Sequence, residues 1–345
     1  MNKSILKNLV IGGAGFIGSN LADYLLKKDE SVTIFDNFSR KGTLSNLEWL
    51  QANYPQLKVA KGDIRFDQDK LKKEIENSDI VYHLAAQVAV TTSVINPRED
   101  FEINALGTFN VLEAIRQSKN RPILIYASTN KVYGRMEDVG IIERNNRYEY
   151  KNLPNGISEE KPLDFYSPYG CSKGTGDQYV RDYSRIYGLK TVVFRQSCIY
   201  GPRQFGVEDQ GWVAWFTIAA ILGKPVTIYG DGKQVRDILY VNDLINAYEL
   251  AISNIKKTSG KIYNIGGGPK NTLSLLELIA YLEEFLDKKI GYSFADWRPG
   301  DQPVFICDIS KAKKEFSWEP KANTKQGIKS LFKWVKDNKK LFKNL

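Results

Sequence analysis

The chain has 345 residues, 42% hydrophobic and 26% charged, which is ordinary globular composition and excludes a disordered or fibrous protein. A formal charge of +9 raises the question of nucleic acid, but the charge is local. Residues 311–345 hold 11 lysines against Glu315, Glu319 and Asp337, 11 − 3 = +8. That segment reads as a solvated helix with Leu331, Trp334 and Val335 on its apolar face. No aromatic platform or reading module accompanies the lysines, so no nucleic-acid partner is expected.

No apolar run reaches the roughly 18 residues that span a bilayer. The glycines at 12, 13, 15 and 18 suit a loop better than a signal core. Cys171, Cys198 and Cys307 are odd in number and far apart, so neither a disulfide framework nor a metal site is expected. These features predict a cytoplasmic protein with no membrane insertion.

The first 195 residues alternate strand-like and helical patterns. Strands are predicted at Leu9–Ile11, Val32–Phe35, around Val59, at Ile80–Leu84, Ile123–Ala127 and Thr191–Phe194. Helices are predicted over Phe16–Leu26 and through Phe101, Ala105, Phe109 and Leu112. The alternation predicts an α/β fold, a Rossmann-type doubly wound parallel sheet, with a smaller C-terminal α/β domain. The polar stretch 135–164 reads as an insertion or lid. Beyond it, Gly201–Gly211 reads as a loop, Trp212–Leu222 as a helix and Asp231–Gly232 as a turn. A further helix is expected over Leu273–Leu286, opened by Asn271 or Thr272. The predicted division is 1–200 for dinucleotide binding, with 235–252 returning to it, and 201–345 for substrate.

Gly12, Gly15 and Gly18 follow the first strand and open the first helix. A tight turn and close approach by a diphosphate both exclude a Cβ, and a helix N-terminus favours an anion. Asp36 ends the second strand, 18 residues past Gly18. A carboxylate there accepts ribose hydroxyls and repels a 2′-phosphate, which favours NAD, although nearby Arg40 leaves an opening for NADP. Asp63 is placed either to meet the adenine or to make a turn.

Tyr169 and Lys173, four apart, share one helix face. A neighbouring ammonium favours the phenolate of a tyrosine that would otherwise be a poor base. Ser128 and Thr129 end a buried strand, where α/β sheets place ligand contacts, and the Thr129 hydroxyl can bond both substrate and Tyr169. His83, the single histidine, lies within a strand and reads as structural.

Together the glycine motif, Asp36, His83-Leu84-Ala85-Ala86, Ser128-Thr129 and Tyr169-x-x-x-Lys173 resemble the extended short-chain dehydrogenase/reductase family. The resemblance covers essentially the whole chain. It implies a Rossmann domain with NAD, a nucleotide-sugar substrate on the smaller domain, and a homodimer or homotetramer. Within the family, Phe38–Gly42, Gln87–Ser93, Ser128–Gly134 and Asp209–Val213 resemble the CDP-sugar 2-epimerases, implying a CDP-sugar substrate. Other nucleotide-sugar epimerases, such as UDP-sugar 4-epimerases, share the catalytic residues and stay open as the alternative. By motif, Thr129, Tyr169 and Lys173 are implied as catalytic. NAD contacts are implied at Gly12, Gly15, Phe16, Ile17, Gly18, Asp36, Asn37, Ser39, Arg40, Asp63, Ile64, Leu84, Ala85, Ala86, Tyr169 and Lys173. Substrate contacts are implied at Gln87, Ser128, Thr129, Asn130, Gln196, Arg203, Gln210, Arg236 and Arg298, the three arginines meeting the diphosphate because a guanidinium fork matches phosphate oxygens. The family's 4,6-dehydratases carry Asp-Glu after the threonine. Asn130-Lys131 stands there instead, which disfavours dehydration.

Overall fold

The computed structural model describes residues 5–298 and 300–343. Seven strands form the main sheet: β1 (Lys7–Ile11), β2 (Ser31–Asp36), β3 (Lys58–Lys61), β4 (Ile80–His83), β5 (Ile123–Thr129), β6 (Thr191–Gln196) and β7 (Lys261–Ile265). Their order is β7-β6-β5-β4-β1-β2-β3, and the registers from β3 across to β5 are parallel. Order reverses beside β1, the switch point where such sheets take ligands. β1, β4 and β6 are nearly continuous apolar runs because helices cover both faces of the sheet. Leu9, Ile11, Val81, Leu124 and Val193 are all fully buried in one core.

Two compact units result. The first comprises 1–129, 167–195 and 245–263; the second comprises 130–166, 196–244 and 264–345. This corrects the sequence-based boundaries. The segment returning to the first unit is 245–263, not 235–252, because strand Val235–Tyr240 pairs with Cys198–Tyr200, Thr272–Ser274 and Val304–Phe305 of the second. Stretch 130–166 also joins the second unit. It contains an antiparallel hairpin, Ile141–Arg144 with Arg147–Tyr150. Asn145 and Asn146 form its turn with φ of 51° and 59°, the left-handed pair that a two-residue hairpin requires.

The second unit has its own apolar core around Val213, Ile218, Leu278, Leu331 and Val335. Helix Leu275–Leu286 starts later than expected, because Ser274 accepts from the Glu277 backbone while Glu277 caps Ser274 in return. The lysine-rich segment does form an amphipathic helix, Thr324–Asp337, with Ile328, Leu331 and Val335 buried. Trp318 is fully buried, and its indole N–H donates to the Asp243 carbonyl at 2.9 Å. Among the described residues no helix is long and apolar enough to cross a membrane.

Candidate active site

The glycine turn connects β1 to helix Phe16–Leu26. Gly12 has φ +82°, and a Cβ on it would stand 2.6 Å from the Ala85 backbone nitrogen. A Cβ on Gly18 would stand 2.3 Å from the Gly12 carbonyl oxygen. Gly15 is the N-cap, so Phe16, Ile17 and Gly18 form the positive end of the helix. This bare, positively ended turn fits a dinucleotide diphosphate.

Asp36 is buried at the end of β2. Its carboxylate accepts from the Ala14 and Phe38 backbone nitrogens at 3.0 and 2.8 Å. Burial raises its pKa, with those bonds pulling the other way. Exposed Arg40 lies within electrostatic reach of both Asp36 and Tyr169. Asp63 is already engaged: both of its oxygens take bonds from Arg65, and one takes a bond from Asn37 at 2.8 Å. Burial pushes its pKa up, but these donors prevail and hold it at about 2. Asn37 Oδ1 in turn accepts from the Ser39 nitrogen. Ile64 is buried, while Leu84, Ala85 and Ala86 directly follow β4 and are half-buried.

Helix Pro168–Tyr187 carries the tyrosine and lysine. It begins with Pro at its first position and a Ser167 cap accepting from Gly170, and Gly188 ends it at φ 67°. The Tyr169 backbone nitrogen donates to Ser93 Oγ at 3.1 Å, tying the helix start to the segment after β4. The Thr129 and Tyr169 side chains are hydrogen-bonded. Burial pushes the phenol up to about 12, while the Thr129 bond and Arg40 favour the phenolate. Lys173 is only 3% exposed, with its Nζ 4.3 Å from the centre of the Tyr126 ring. Burial lowers the ammonium to about 7, although Asp177 and Asp100 both pull it upward.

Those two carboxylates were missed by the motif reading. Asp177 is fully buried, accepts from Arg195 at 2.9 and 3.0 Å, and accepts from Ser128 Oγ at 2.7 Å. Asp100 accepts from Ser172 Oγ and from Asn104 Nδ2. The available signal was spacing, since Tyr169, Lys173 and Asp177 repeat every four residues on one helix face. Ser128 is thus turned to Asp177. His83 is buried beside Thr108, with Nε2 3.0 Å from its hydroxyl. Burial, then the Lys173 charge, lowers its pKa to about 3, so it stays neutral and acts structurally.

Of the expected substrate residues, Gln87, Ser128 and Thr129 belong to the first unit and the other six to the second. The Gln87 side chain closes on the Ala89 backbone at both its ends, and Gln196 is buried at the end of β6. Asn130 and Lys131 belong to a 3-10 turn, Asn130–Tyr133. Arg236 pairs with Asp301 at 2.5 Å. Arg298 stacks 3.8 Å from the centre of the Tyr229 ring and pairs with Asp209 at 3.2 Å. Gln210 bridges to Val207 through the backbone. Arg203 has left-handed φ 67° and lies over Trp334. Among the described residues no group of three or more His, Cys, Asp or Glu could hold a metal ion.

Thr129 at the end of β5 and Tyr169 and Lys173 on the following long helix form an arrangement able to exchange a proton with a carbinol. A family model described as GDP-mannose 4,6 dehydratase matches residues 9–331. The chain belongs to this family, within the extended short-chain dehydrogenases/reductases. It is 46% identical over 336 residues to a CDP-paratose 2-epimerase of Salmonella typhi, covering 96% of this chain and 99% of the relative. It is 33% identical to a putative UDP-glucose 4-epimerase of Methanocaldococcus jannaschii, covering 96% and 98%. Among solved structures, UDP-glucuronic acid 4-epimerase from Bacillus cereus, in complex with UDP-glucuronic acid and NAD, superposes with TM-score 0.84 at 30% identity, covering 96% and 100%. These relatives and structural neighbours are nucleotide-sugar epimerases and dehydratases.

Proposed function

We propose that this protein is an NAD-dependent epimerase acting on carbon 2 of a CDP-linked 3,6-dideoxyhexose, converting CDP-paratose to CDP-tyvelose. The observation that carries the chemistry is the hydrogen-bonded pair of Tyr169 and Thr129, with Lys173 one turn along the same helix. The 46% identity to a CDP-paratose 2-epimerase supports the substrate.

The C2–H of such a sugar is not acidic, and a ketone at carbon 4 would acidify carbons 3 and 5 only. Oxidation at carbon 2 itself is the economical route. Bound NAD supplies the hydride acceptor and, on return, the donor. The glycine turn and Asp36 hold it, with Arg40 alongside. Tyr169 takes the C2 hydroxyl proton as the C2 hydrogen departs as hydride, leaving a 2-keto sugar. Thr129 bonds the reacting oxygen and Tyr169 together, and Lys173 supports the phenolate. The keto sugar then presents its other face, hydride returns to C2, and Tyr169 gives the proton back. No net redox occurs, so cofactor is retained and recycled. Arg236 and Arg298 are assigned to the diphosphate.

Exposed Phe101, Leu106, Phe109, Tyr179 and Ile186 on first-unit helices support assembly as a homodimer or homotetramer. Proton NMR of CDP-paratose incubated with the purified protein, without added NAD, tests the function. Appearance of CDP-tyvelose is expected. An unchanged coupling pattern, even with NAD added, rejects this substrate, and turnover of a UDP-sugar at carbon 4 would establish the alternative.

A further inference from the structure

We propose that Asp100 is a positioning residue of the active site: it is the buried counter-charge of Lys173, held against the neighbouring residue Ser172. The catalytic consequence rests on the epimerase reading above, while the charge pairing is testable without it.

Asp100 lies on helix Pro97–Phe101, which packs against the helix of Tyr169 and Lys173. A π turn follows at Glu102–Leu106, a widened geometry that often marks a functional site. It delivers the Asn104 side chain to three residues. Asn104 Oδ1 accepts from the Gln87 nitrogen at 3.0 Å. Its Nδ2 donates to the Gln87 carbonyl at 3.0 Å, to Asp100 Oδ1 at 3.1 Å and to Ser172 Oγ at 3.2 Å. The Ser172 hydroxyl has one proton to give. Its shortest bond sends that proton to Asp100 Oδ2, with the Tyr169 carbonyl, at 3.2 Å, as the longer alternative. The carboxylate is thus fixed against the residue that directly precedes Lys173.

Four buried charged groups meet here, Asp100 and Asp177 against Lys173 and Arg195, 2 − 2 = 0. Asp177 pulls harder on Lys173 than Asp100 does, but Arg195 already balances Asp177 with two bonds. Asp100 takes bonds from two neutral donors only, Ser172 and Asn104. Its charge is the one left to answer the ammonium. The other groups around Lys173 do not supply one. From β5, the Tyr126 ring centre lies 4.3 Å from Nζ. From β4, His83 is neutral. On its own helix, Tyr169 brings no negative charge while the phenol is protonated, and Arg40 faces that phenol as a further cation. A buried charge without a counter-charge is costly, so Asp100 and Lys173 hold each other ionised. Burial pushes the Asp100 carboxyl up, and Ser172, Lys173 and Asn104 pull it back down.

A double-mutant cycle of Asp100→Asn and Lys173→Met, read from urea unfolding with NAD in excess throughout, tests the pairing without substrate. Asp100→Asn removes the charge and keeps the bonds. Its oxygen accepts from Asn104, its amide donates to Ser172 Oγ, and the Ser172 proton turns to the Tyr169 carbonyl. At about pH 6, below the Lys173 value of about 7, the double variant should lose less than the two single variants together. The shortfall should be a factor of about ten or more in the folding equilibrium. At about pH 9.5 Lys173 is neutral in the folded protein, and that factor should fall toward one. Additive losses at both pH values overturn the proposal. So does an equal shortfall at both, which marks a packing contact without charge. Asp100→Ser takes the place of Asp100→Asn if the latter does not fold. In turnover, Asp100→Asn should move the acid limb of the pH–rate profile down by about one unit, because Asp100 raises the proton affinity of Tyr169 and of Lys173 alike. An unmoved limb overturns the catalytic part. If the wild-type protein turns over no nucleotide sugar, the epimerase reading fails, and the cycle still decides the pairing.

Discussion

Arg195 grips Asp177 with two parallel hydrogen bonds, Nε to Oδ2 at 2.9 Å and a terminal nitrogen to Oδ1 at 3.0 Å, in a place where neither side chain is more than 3% exposed. Ser128 adds a third donor to the same carboxylate. The pair fixes the helix bearing Tyr169 and Lys173 to β6 and to the end of β5.

Breaking that pair should cost stability first. Arg195→Met leaves a buried carboxylate whose charge is unpaired, with Ser128 and Gln178 still donating to it, and Asp177→Ala leaves a buried guanidinium. Each should lose roughly 3–5 kcal/mol, read from urea midpoints at unchanged slope. A loss below about 1 kcal/mol, the level of an exposed pair, would show that this ion pair does not act as a buried one.

Tyr169→Phe should abolish nearly all turnover, by at least about a hundredfold on the usual scale of general acid–base catalysis. The variant should still carry NAD, quantified after acid release from the purified protein. Wild-type rates in this variant would remove Tyr169 from its assigned role.

Gly18→Ala places a methyl 2.3 Å from the Gly12 carbonyl oxygen. The turn must open, and retained NAD should fall to a small fraction of the wild-type content. Full occupancy in a folded Gly18→Ala protein would mean that this turn does not hold the cofactor.

Lys173 sets a pH dependence with a definite sign. Its folded pKa is depressed to about 7 from 10.5. Between these values the unfolded chain binds more protons than the folded one, so this group's contribution to stability rises with pH across about 7 to 10.5. Below pH 7 both states are protonated and its penalty is constant, on the order of 5 kcal/mol. Melting curves of wild type against Lys173→Met isolate the effect. The wild-type protein should gain on the variant as pH climbs from 7 to 10, and parallel profiles would contradict the depressed value.

Much of this was legible in the sequence because it is local. The glycine turn, Asp36 at a strand end and the four-residue step from Tyr169 to Lys173 each depend on neighbours within one or two turns. The Asn145–Asn146 hairpin and the Ser274-x-x-Glu277 cap are equally local signals. What stayed hidden depends on distant pairing. Val235–Tyr240 belongs to the second unit only because its partners come from three separate stretches of chain. Asp177, on a helix, gains its meaning from Arg195, 18 residues away on β6. Arg203 stands in an arginine motif, and its contact with the Trp334 ring comes from far along the chain.

The buried indole of Trp318 does not stand alone. Trp212, Trp215, Trp297 and Trp334 share its unit, and only Trp49 of the six belongs to the first. The 19 tyrosines divide almost evenly, ten in the first unit and nine in the second. Red-edge emission therefore reports almost wholly on the second unit, while tyrosine absorption reports on both.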